Sequence, residues 1–418
     1  MKRALTILLL LCMLAQGALA APLSLEKMTQ AASGLAEFTI EGMPGEEYYE
    51  AVASPRDWIS LINAEEYKNL YVDLELKYSW QELEELFYDI SAHPIANVDI
   101  IGQSARGRNI YSVRVGRGSS CILLTGGVRA KETAGTMYIL KQLCGLLSAY
   151  STGNEEVMEL LEAFTVVAVP CVNPDGRAVL ELDEGIDWYS NDGGVDLDMN
   201  FPCANAGQLS PDASQAYHSN EPGSSDYPGA YLGSEPETKA LIGWIEAYID
   251  SAVVFIDYEQ YGRYTHGGGA YLSERAQKAS DDLAVNLAEF LSREDALYNF
   301  LENVGELRGW SGGSIEDFAA ELGEGLAFSE RYGRLGLDMS SGPLPLCFFR
   351  DIDEHLSAYT PRSVPLACVS IDISTRGGMG YYENARRNHA KEYDNCGYDE
   401  LLVHVMDYAA EYLLPARP

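Results

Sequence analysis

The sequence of 418 residues predicts an α/β fold, in which helices cover both faces of a mixed, mostly parallel central sheet. Four apolar runs are continuous rather than alternating, which is typical of strands buried on both faces. They lie at 121–124, 164–169, 252–257 and 366–373. Segments with helical spacing separate these runs, and this order favours parallel strands joined by helices.

The other elements are predicted in order along the chain. Residues 78–92 carry apolar side chains at helical spacing, and 98–115 has the pattern of a hairpin. A helix is predicted to follow the Gly126-Gly127 break and to end near Tyr150. Another begins with Ser234 as its N-cap and a proline in its first turn. Further helices are predicted at 277–307, after the turn at 312–318, and at 398–414.

Residues 1–20 have the pattern of a secretory signal. Lys2 and Arg3 precede an apolar core at 4–14, and Ala18-Leu-Ala20 is a small-x-small cleavage site. The core is too short to span a bilayer stably. We therefore expect a signal peptide (1–20), an N-terminal arm or propeptide-like segment (21–67), and one domain (68–418) that is secreted and soluble outside the cell.

The charge of the chain limits its partners. The formal net charge is −34 at pH 7, so nucleic acid and anionic membranes are not expected as partners. A solvated acidic surface that keeps an exported protein soluble is the favoured interpretation. After removal of the signal, no contact with a membrane is expected.

The turn after the run at 121–124 is the first candidate for chemistry. Open α/β sheets place their active sites where strands end and helices begin. This turn carries Arg129 and, three residues later, Glu132.

Six landmarks in a fixed order make the chain resemble the zinc carboxypeptidases, the carboxypeptidase A-like metallopeptidases. They are 101–108, Gly126-Gly127, Asn173-Pro-Asp-Gly176, 194–202, 234–241 and the turn at 312–314. The resemblance implies the phosphorylase/hydrolase-like sandwich of that family. It also implies hydrolysis of a C-terminal peptide bond by a zinc-activated water.

The ligand positions that the resemblance implies have changed. Arg129 replaces the first ligand histidine, Glu132 is retained, and Asp257 stands at the third position, where a histidine is expected. An alignment slipped by one residue places Ile256 there instead. His266 could be a displaced ligand, but a solvated loop histidine is the favoured interpretation.

The other functional positions implied by the resemblance have changed as well. Asp372 stands at the position of the general base, where the family has a glutamate, and Lys131 replaces an arginine in the metal turn. The positions of the substrate-binding groups hold Tyr189, Asp198, Met199 and Arg308. We expect Asp198 to repel a terminal carboxylate by like charge.

These changes predict a secreted pseudo-peptidase whose retained cleft binds a peptide or murein-type fragment, and no cofactor is expected. One alternative is an active carboxypeptidase that uses displaced ligands such as Glu132, Asp257 and His266. An all-carboxylate set would suit calcium, magnesium or manganese better than zinc. Another is a structural or inhibitory partner of an active relative.

The arginine itself has a predicted role. Carboxylates that converge in a buried cleft repel one another unless a cation lies among them. We predict that the guanidinium of Arg129 lies in or near the zinc position. It is expected to bond to Glu132 and to at least one of Asp257 and Asp372.

Overall fold

The structure is a computed structural model of the chain. It describes residues 70–182, 188–201, 221–224, 226–260, 262–268, 274–292, 298–301, 314–323, 364–373 and 383–414. The expected signal peptide at 1–20, the segment 21–67 and Arg308 lie outside these residues.

Eight strands in the described residues form one sheet, in the order β1-β2-β4-β3-β5-β8-β6-β7. In chain order they are β1 (Ala96–Gln103), β2 (Asn109–Gly116), β3 (Ser120–Gly126), β4 (Phe164–Val169), β5 (Ala252–Glu259), β6 (Tyr264–Gly267), β7 (Asn299–Phe300) and β8 (Ala367–Asp372). The four central strands, β4, β3, β5 and β8, run parallel. Antiparallel pairing joins β2 to β4 and β6 to β8, so the sheet is mixed and mostly parallel at its centre, as predicted.

The helices in the described ranges are α1 (Trp80–Ser91), α2 (Thr133–Ser151), α3 (Glu155–Ala163), α4 (Pro174–Leu182), α5 (Pro236–Tyr248), α6 (Glu274–Leu291), α7 (Ile315–Gly323), α8 (Glu383–Cys396) and α9 (Tyr398–Tyr408). A capping box fixes the start of α1, because Ser79 and Glu82 bond each other's backbone N–H. Within the described part of the chain, no helix has both the length and the apolar character needed to cross a membrane.

Two helix predictions were wrong in their bounds. Asn299 and Phe300, which fall in the helix predicted at 277–307, form strand β7 beside β6. Sheet pairing therefore overrides the local helical pattern there. The N-cap of α5 is Glu235 rather than Ser234, because Pro236 stands at the first helical position. Ser234 instead hydrogen bonds through its hydroxyl to the side chains of Glu235 and Asn200.

Helices pack on both faces of the sheet because alternate side chains of each central strand point to opposite sides. Ile122 and Leu124 of β3 join an apolar cluster with residues of α2, α6 and α9. Cys121 and Leu123 of the same strand join a second cluster with residues of α5 and α7. Both clusters are closed to solvent, and the predicted two-sided sandwich is confirmed.

The strand register brings polar residues to the carboxyl edge of the sheet. Asp257 of β5 lies opposite Thr125 of β3, and Glu259 lies opposite Asp372 of β8. The carboxyl ends of parallel strands meet at one edge, so these side chains converge near the turn that follows β3.

Gly127 shapes that turn. Its φ is +61°, and a Cβ added there would lie 2.5 Å from Thr136 Oγ1. We expect Gly127→Ala to lower the free energy of unfolding by about 1–3 kcal/mol in urea titrations, because strain and overlap add. Gly145→Ala is the matched control. A Cβ at this exposed position within α2 meets nothing within 4 Å, so the same change should stabilise the protein by about 0.5–1 kcal/mol. Equal effects at both positions would contradict the role given to Gly127.

Candidate functional site

The candidate site is built on the turn between β3 and α2. The turn is held by two backbone bonds, from Ala130 N to Tyr189 O at 2.9 Å and from Glu132 N to Arg129 O at 3.0 Å. Glu132 is the N-cap residue of α2, although its side chain caps no backbone N–H. Arg129 and Glu132 are 3% and 2% exposed, so the turn points its charged side chains into the protein.

The guanidinium of Arg129 lies among four carboxylates. Its Nε donates to both oxygens of Asp196 at 3.1 Å, and its Nη2 lies 2.8 Å from Asp198 Oδ2. Its Nη1 lies 3.8 Å from Glu132 Oε1 and 4.0 Å from Glu259 Oε2. The charge-assisted contacts at hydrogen-bond distance therefore go to Asp196 and Asp198.

The predicted partners of Arg129 were wrong in part. Glu132 faces the guanidinium as an ion pair, but 3.8 Å is too long for a hydrogen bond. The two aspartates that bond to Arg129 are Asp196 and Asp198, not Asp257 and Asp372. Asp198 lies in the 3₁₀ turn Leu197–Met199, and Asp196 is the N-cap of that turn. The turn approaches the guanidinium on the side of Nε and Nη2, so these two aspartates make the bonds.

Asp257 and Asp372 have other partners. Thr125 Oγ1 donates to Asp257 Oδ1 at 2.6 Å, across the parallel pair β3 and β5. Asp372 Oδ2 lies 3.6 Å from His266 Nε2. His266 is 4% exposed and belongs to strand β6, so its interpretation as a solvated loop histidine was wrong. The placement of β6 next to β8 explains why this imidazole lies beside the carboxylate of Asp372.

Burial raises the pKa of the carboxyl groups around Arg129. Desolvation is the largest cause for Glu132, Asp196 and Asp198, and it outweighs the attraction of Arg129, which lowers each pKa. For Asp257, burial and then the negative charge of Glu259 raise the pKa to about 8. One cation does not offset the burial of this many carboxylates, so the pKa of each of these groups lies above its usual range.

Sequence reasoning missed Asp196 and Glu259. Each lies two residues from a residue that the sequence analysis named, Asp198 and Asp257 respectively. On a strand, residues i and i+2 share a face, and this periodicity could have found Glu259 beside Asp257. The sequence indicates Asp196 less clearly, because its contact with Arg129 depends on the conformation of the turn Leu197–Met199 that follows it.

Three of the four predicted substrate-binding positions, Tyr189, Asp198 and Met199, lie within the described residues. Met199 is buried at 6% exposure, and the carboxylate of Asp198 is engaged with Arg129. The half-buried ring of Tyr189 lies under Lys131, whose Nζ is 5.1 Å from the ring centroid. Arg308 lies outside the described residues, so its predicted place near the substrate stays a prediction.

The residues present do not fit a catalytic zinc. Such a site takes three protein ligands that can each offer a lone pair, and a guanidinium has none. Asp198, Asp257 and Glu259 each offer an oxygen, and these oxygens lie within 4.8 Å of one another. That set would suit a hard cation rather than zinc. However, Arg129 already places its positive charge 2.8 Å from Asp198 and 4.0 Å from Glu259.

Comparison with known sequences supports the resemblance. The family model described as zinc carboxypeptidase matches residues 86–318. A metallocarboxypeptidase A-like protein of Trichophyton verrucosum is 32% identical over 217 residues, covering 47% of each chain. Carboxypeptidase M of Mus musculus is 25% identical over 245 residues, covering 54% of this chain and 47% of the relative. The chain thus spans about half the length of the curated relatives it matches.

Solved structures show the same fold. Bovine thrombin-activatable fibrinolysis inhibitor, in complex with tick carboxypeptidase inhibitor, matches with a TM-score of 0.56 at 15% identity. The match covers 80% of this chain and 98% of that one. Carboxypeptidase A from Helicoverpa armigera matches with a TM-score of 0.54 at 15% identity, covering 88% of this chain and 81% of that one. At these identities the similarity establishes the fold alone.

Proposed function

Since the chain belongs to the zinc carboxypeptidase family, whose model matches 86–318, we propose that it is a catalytically silent member that binds rather than cleaves its ligand. The ligand would be a peptide or a murein-type fragment held in the retained cleft. The signal-like residues 1–20 support export, which the proposal includes.

The observation that carries the proposal is the guanidinium of Arg129 among Asp196, Asp198, Glu132 and Glu259. In the family, a metal supplies the positive charge at this turn and makes a hydroxide at neutral pH. Here a fixed cation supplies the charge, and it can neither ionise a water nor polarise a carbonyl as a Lewis acid. The remaining candidate for a base, Asp372, faces His266.

The alternative with displaced ligands is not favoured. It would need Glu132, Asp257 and His266 to converge on one ion. His266 is instead 3.6 Å from Asp372, and Asp257 accepts a hydrogen bond from Thr125. Among the described residues, the set that could share a cation contains Asp257 but neither Glu132 nor His266.

We expect the purified protein to retain no stoichiometric zinc after incubation with zinc and dialysis, and to release no amino acid from peptides with free C termini. The measurement is elemental analysis of the dialysed protein together with a C-terminal release assay. The double variant Arg129→His/Asp257→His removes the guanidinium and puts a histidine at each position where the resemblance implies one, so it should retain more zinc than the unchanged protein.

Two results would count against the proposal. One is stoichiometric zinc in the unchanged protein. The other is a C-terminal release activity that a chelator abolishes and that Glu132→Gln lacks. Zinc uptake by the double variant without hydrolysis would agree with it, because Asp372 is one methylene shorter than the base it replaces.

A further inference from the structure

A buried carboxyl group joins three segments at the N-terminal end of α5. Glu237, in the first turn of this helix, is 0% exposed. Its Oε1 accepts a hydrogen bond from the backbone N–H of Ala105, in the turn between β1 and β2, at 3.2 Å. Its Oε2 accepts one from Nδ2 of Asn191, the first residue of the loop 191–195, at 3.3 Å. Glu237 therefore ties this hairpin turn and this loop to α5.

The side chain of Asn191 determines the shape of the loop. Its Oδ1 accepts from the backbone N–H groups of Gly193 and Val195, both at 3.0 Å. The N–H of Asn191 donates in turn to Val195 O at 2.9 Å. Asp196 follows the loop directly and bonds to the guanidinium of Arg129. A single asparagine, held by α5, thus connects the loop to the candidate site.

Glu237 lies beside other carboxylates. Nδ2 of Asn191, which donates to Glu237, also donates to Glu235 Oε2 at 2.8 Å, and the negative charge of Asp175 acts on Glu237 from α4. The cations of these elements bond to other groups: Arg106 to Asp192 at 2.8 Å, Arg108 to Asp175 at 2.6 Å, and Lys239 to Ser234 O at 2.7 Å. Both donors to Glu237 are uncharged, so an ionised Glu237 would be a buried charge to which, in the described part of the chain, no cation bonds.

The tied conformation, in which Glu237 accepts both hydrogen bonds, favours the protonated acid. Burial and then the charges of Asp175 and Glu235 raise the pKa of Glu237 from 4.5 to about 7. A conformation that exposes Glu237 to water binds this proton less tightly. The stability that the proton gives to the tied conformation is therefore fully present below about pH 4.5 and is lost as the pH rises to about 7.

We propose that Glu237 is a proton-controlled tie that fixes the loop 191–195 and the hairpin turn on α5 when it is protonated and releases them when it ionises. Because Asp196 follows the loop, release also loosens its approach to Arg129. The shape of the candidate site would then depend on pH through a residue that does not touch it. The proposal concerns conformation, so it is independent of whether the protein cleaves or only binds its ligand.

The test is hydrogen–deuterium exchange of the protein at pH 5.5 and at pH 8, with a correction for the chemical exchange rate at each pH. Peptides that contain the loop 191–195 report local opening, and peptides of the central strand β4 report global opening. We expect the protection of the loop, relative to that of β4, to fall by about tenfold or more between the two pH values. The amides of Gly193 and Val195 should show it, since both bond to Asn191 Oδ1.

Three variants identify the group that titrates. Glu237→Gln cannot ionise, so the protection of its loop should no longer depend on pH, whatever its level. Glu235→Gln removes one neighbouring negative charge, so the fall in protection should be smaller and should end at a lower pH. Glu246→Gln is the matched control, because Glu246 lies near the other end of α5, and its loop should respond to pH as in the unchanged protein.

A fall in protection that Glu237→Gln removes and Glu246→Gln retains supports the proposal. The proposal is overturned if the relative protection of the loop does not change with pH, if the change persists in Glu237→Gln, or if Glu246→Gln removes it as well. If circular dichroism shows that Glu237→Gln does not fold, Glu235→Gln decides. A fall of the same size that ends at the same pH as in the unchanged protein then counts against Glu237.

Discussion

Replacing Arg129 with methionine is expected to lower the free energy of unfolding by about 3–5 kcal/mol near neutral pH. The guanidinium is 3% exposed and lies between 2.8 and 4.0 Å from oxygens of four carboxylates. Methionine fills a similar volume but carries no charge. The decrease in the free energy of unfolding therefore reports the removal of the positive charge rather than the opening of a cavity. Without it, buried carboxylates must either repel one another or take up protons.

Urea unfolding of both proteins checks this expectation. Arg117→Met is the matched control, because Arg117 pairs with Glu162 at 3.3 Å on the surface, where the two side chains are 52% and 59% exposed. An exposed pair contributes about 0–1 kcal/mol. A variant at Arg129 that unfolds at the same urea concentration as the Arg117 variant would show that the guanidinium does not stabilise the cluster.

Replacing Asp257 with asparagine should change how stability depends on pH. Burial and the charge of Glu259 raise the pKa of Asp257 from 3.8 to about 8. Between about pH 4 and pH 8, the folded protein therefore keeps a proton that the unfolded chain releases. The stabilisation from this proton is fully present below about pH 4 and is lost as the pH rises to about 8, by up to about 1.4 kcal/mol per pH unit. Asparagine cannot ionise, so the free energy of unfolding of the variant does not fall with pH for this reason.

The measurement is the free energy of unfolding of Asp257→Asn and of the unchanged protein at pH 5 and at pH 8. The free energy of unfolding of the variant, minus that of the unchanged protein, should be larger at pH 8 than at pH 5 by on the order of 2–4 kcal/mol. Asp99→Asn is the control, since Asp99 is an exposed aspartate of β1 and lies outside the cluster. A pH-independent difference for Asp257→Asn would mean that Asp257 is ionised in the folded protein throughout this range.

The central strands could be predicted from the sequence because they carry a local signal. Each is a continuous apolar run, and β4 and β8 match the predicted segments to within one residue at each end. The turn at Gly127 and the hairpin of β1 and β2 also carry local signals. The Gly126-Gly127 pair breaks the apolar run, and a short turn lies between two extended segments. The family resemblance added the order of the landmarks, which placed the site at the turn after β3.

The contacts inside the site could not be predicted in the same way. Which carboxylate an arginine bonds depends on how closely three separate segments approach one another, and a sequence motif does not give the distances between them. Asp198 was assigned to a substrate position, yet it lies 2.8 Å from Arg129. His266 was assigned to a loop because the short strand β6, only four residues long, has too few residues to show a periodic pattern.

The bonds between Arg129 and the pair Asp196 and Asp198 also limit what a single substitution can achieve at this site. Histidine at position 129 alone would remove the cation while the carboxylates stay, and it would leave Asp257 at the other ligand position that the resemblance implies. Histidine at position 257 alone would leave the guanidinium in place. Neither single substitution therefore gives a set of two histidines and Glu132, so the two positions have to be changed together.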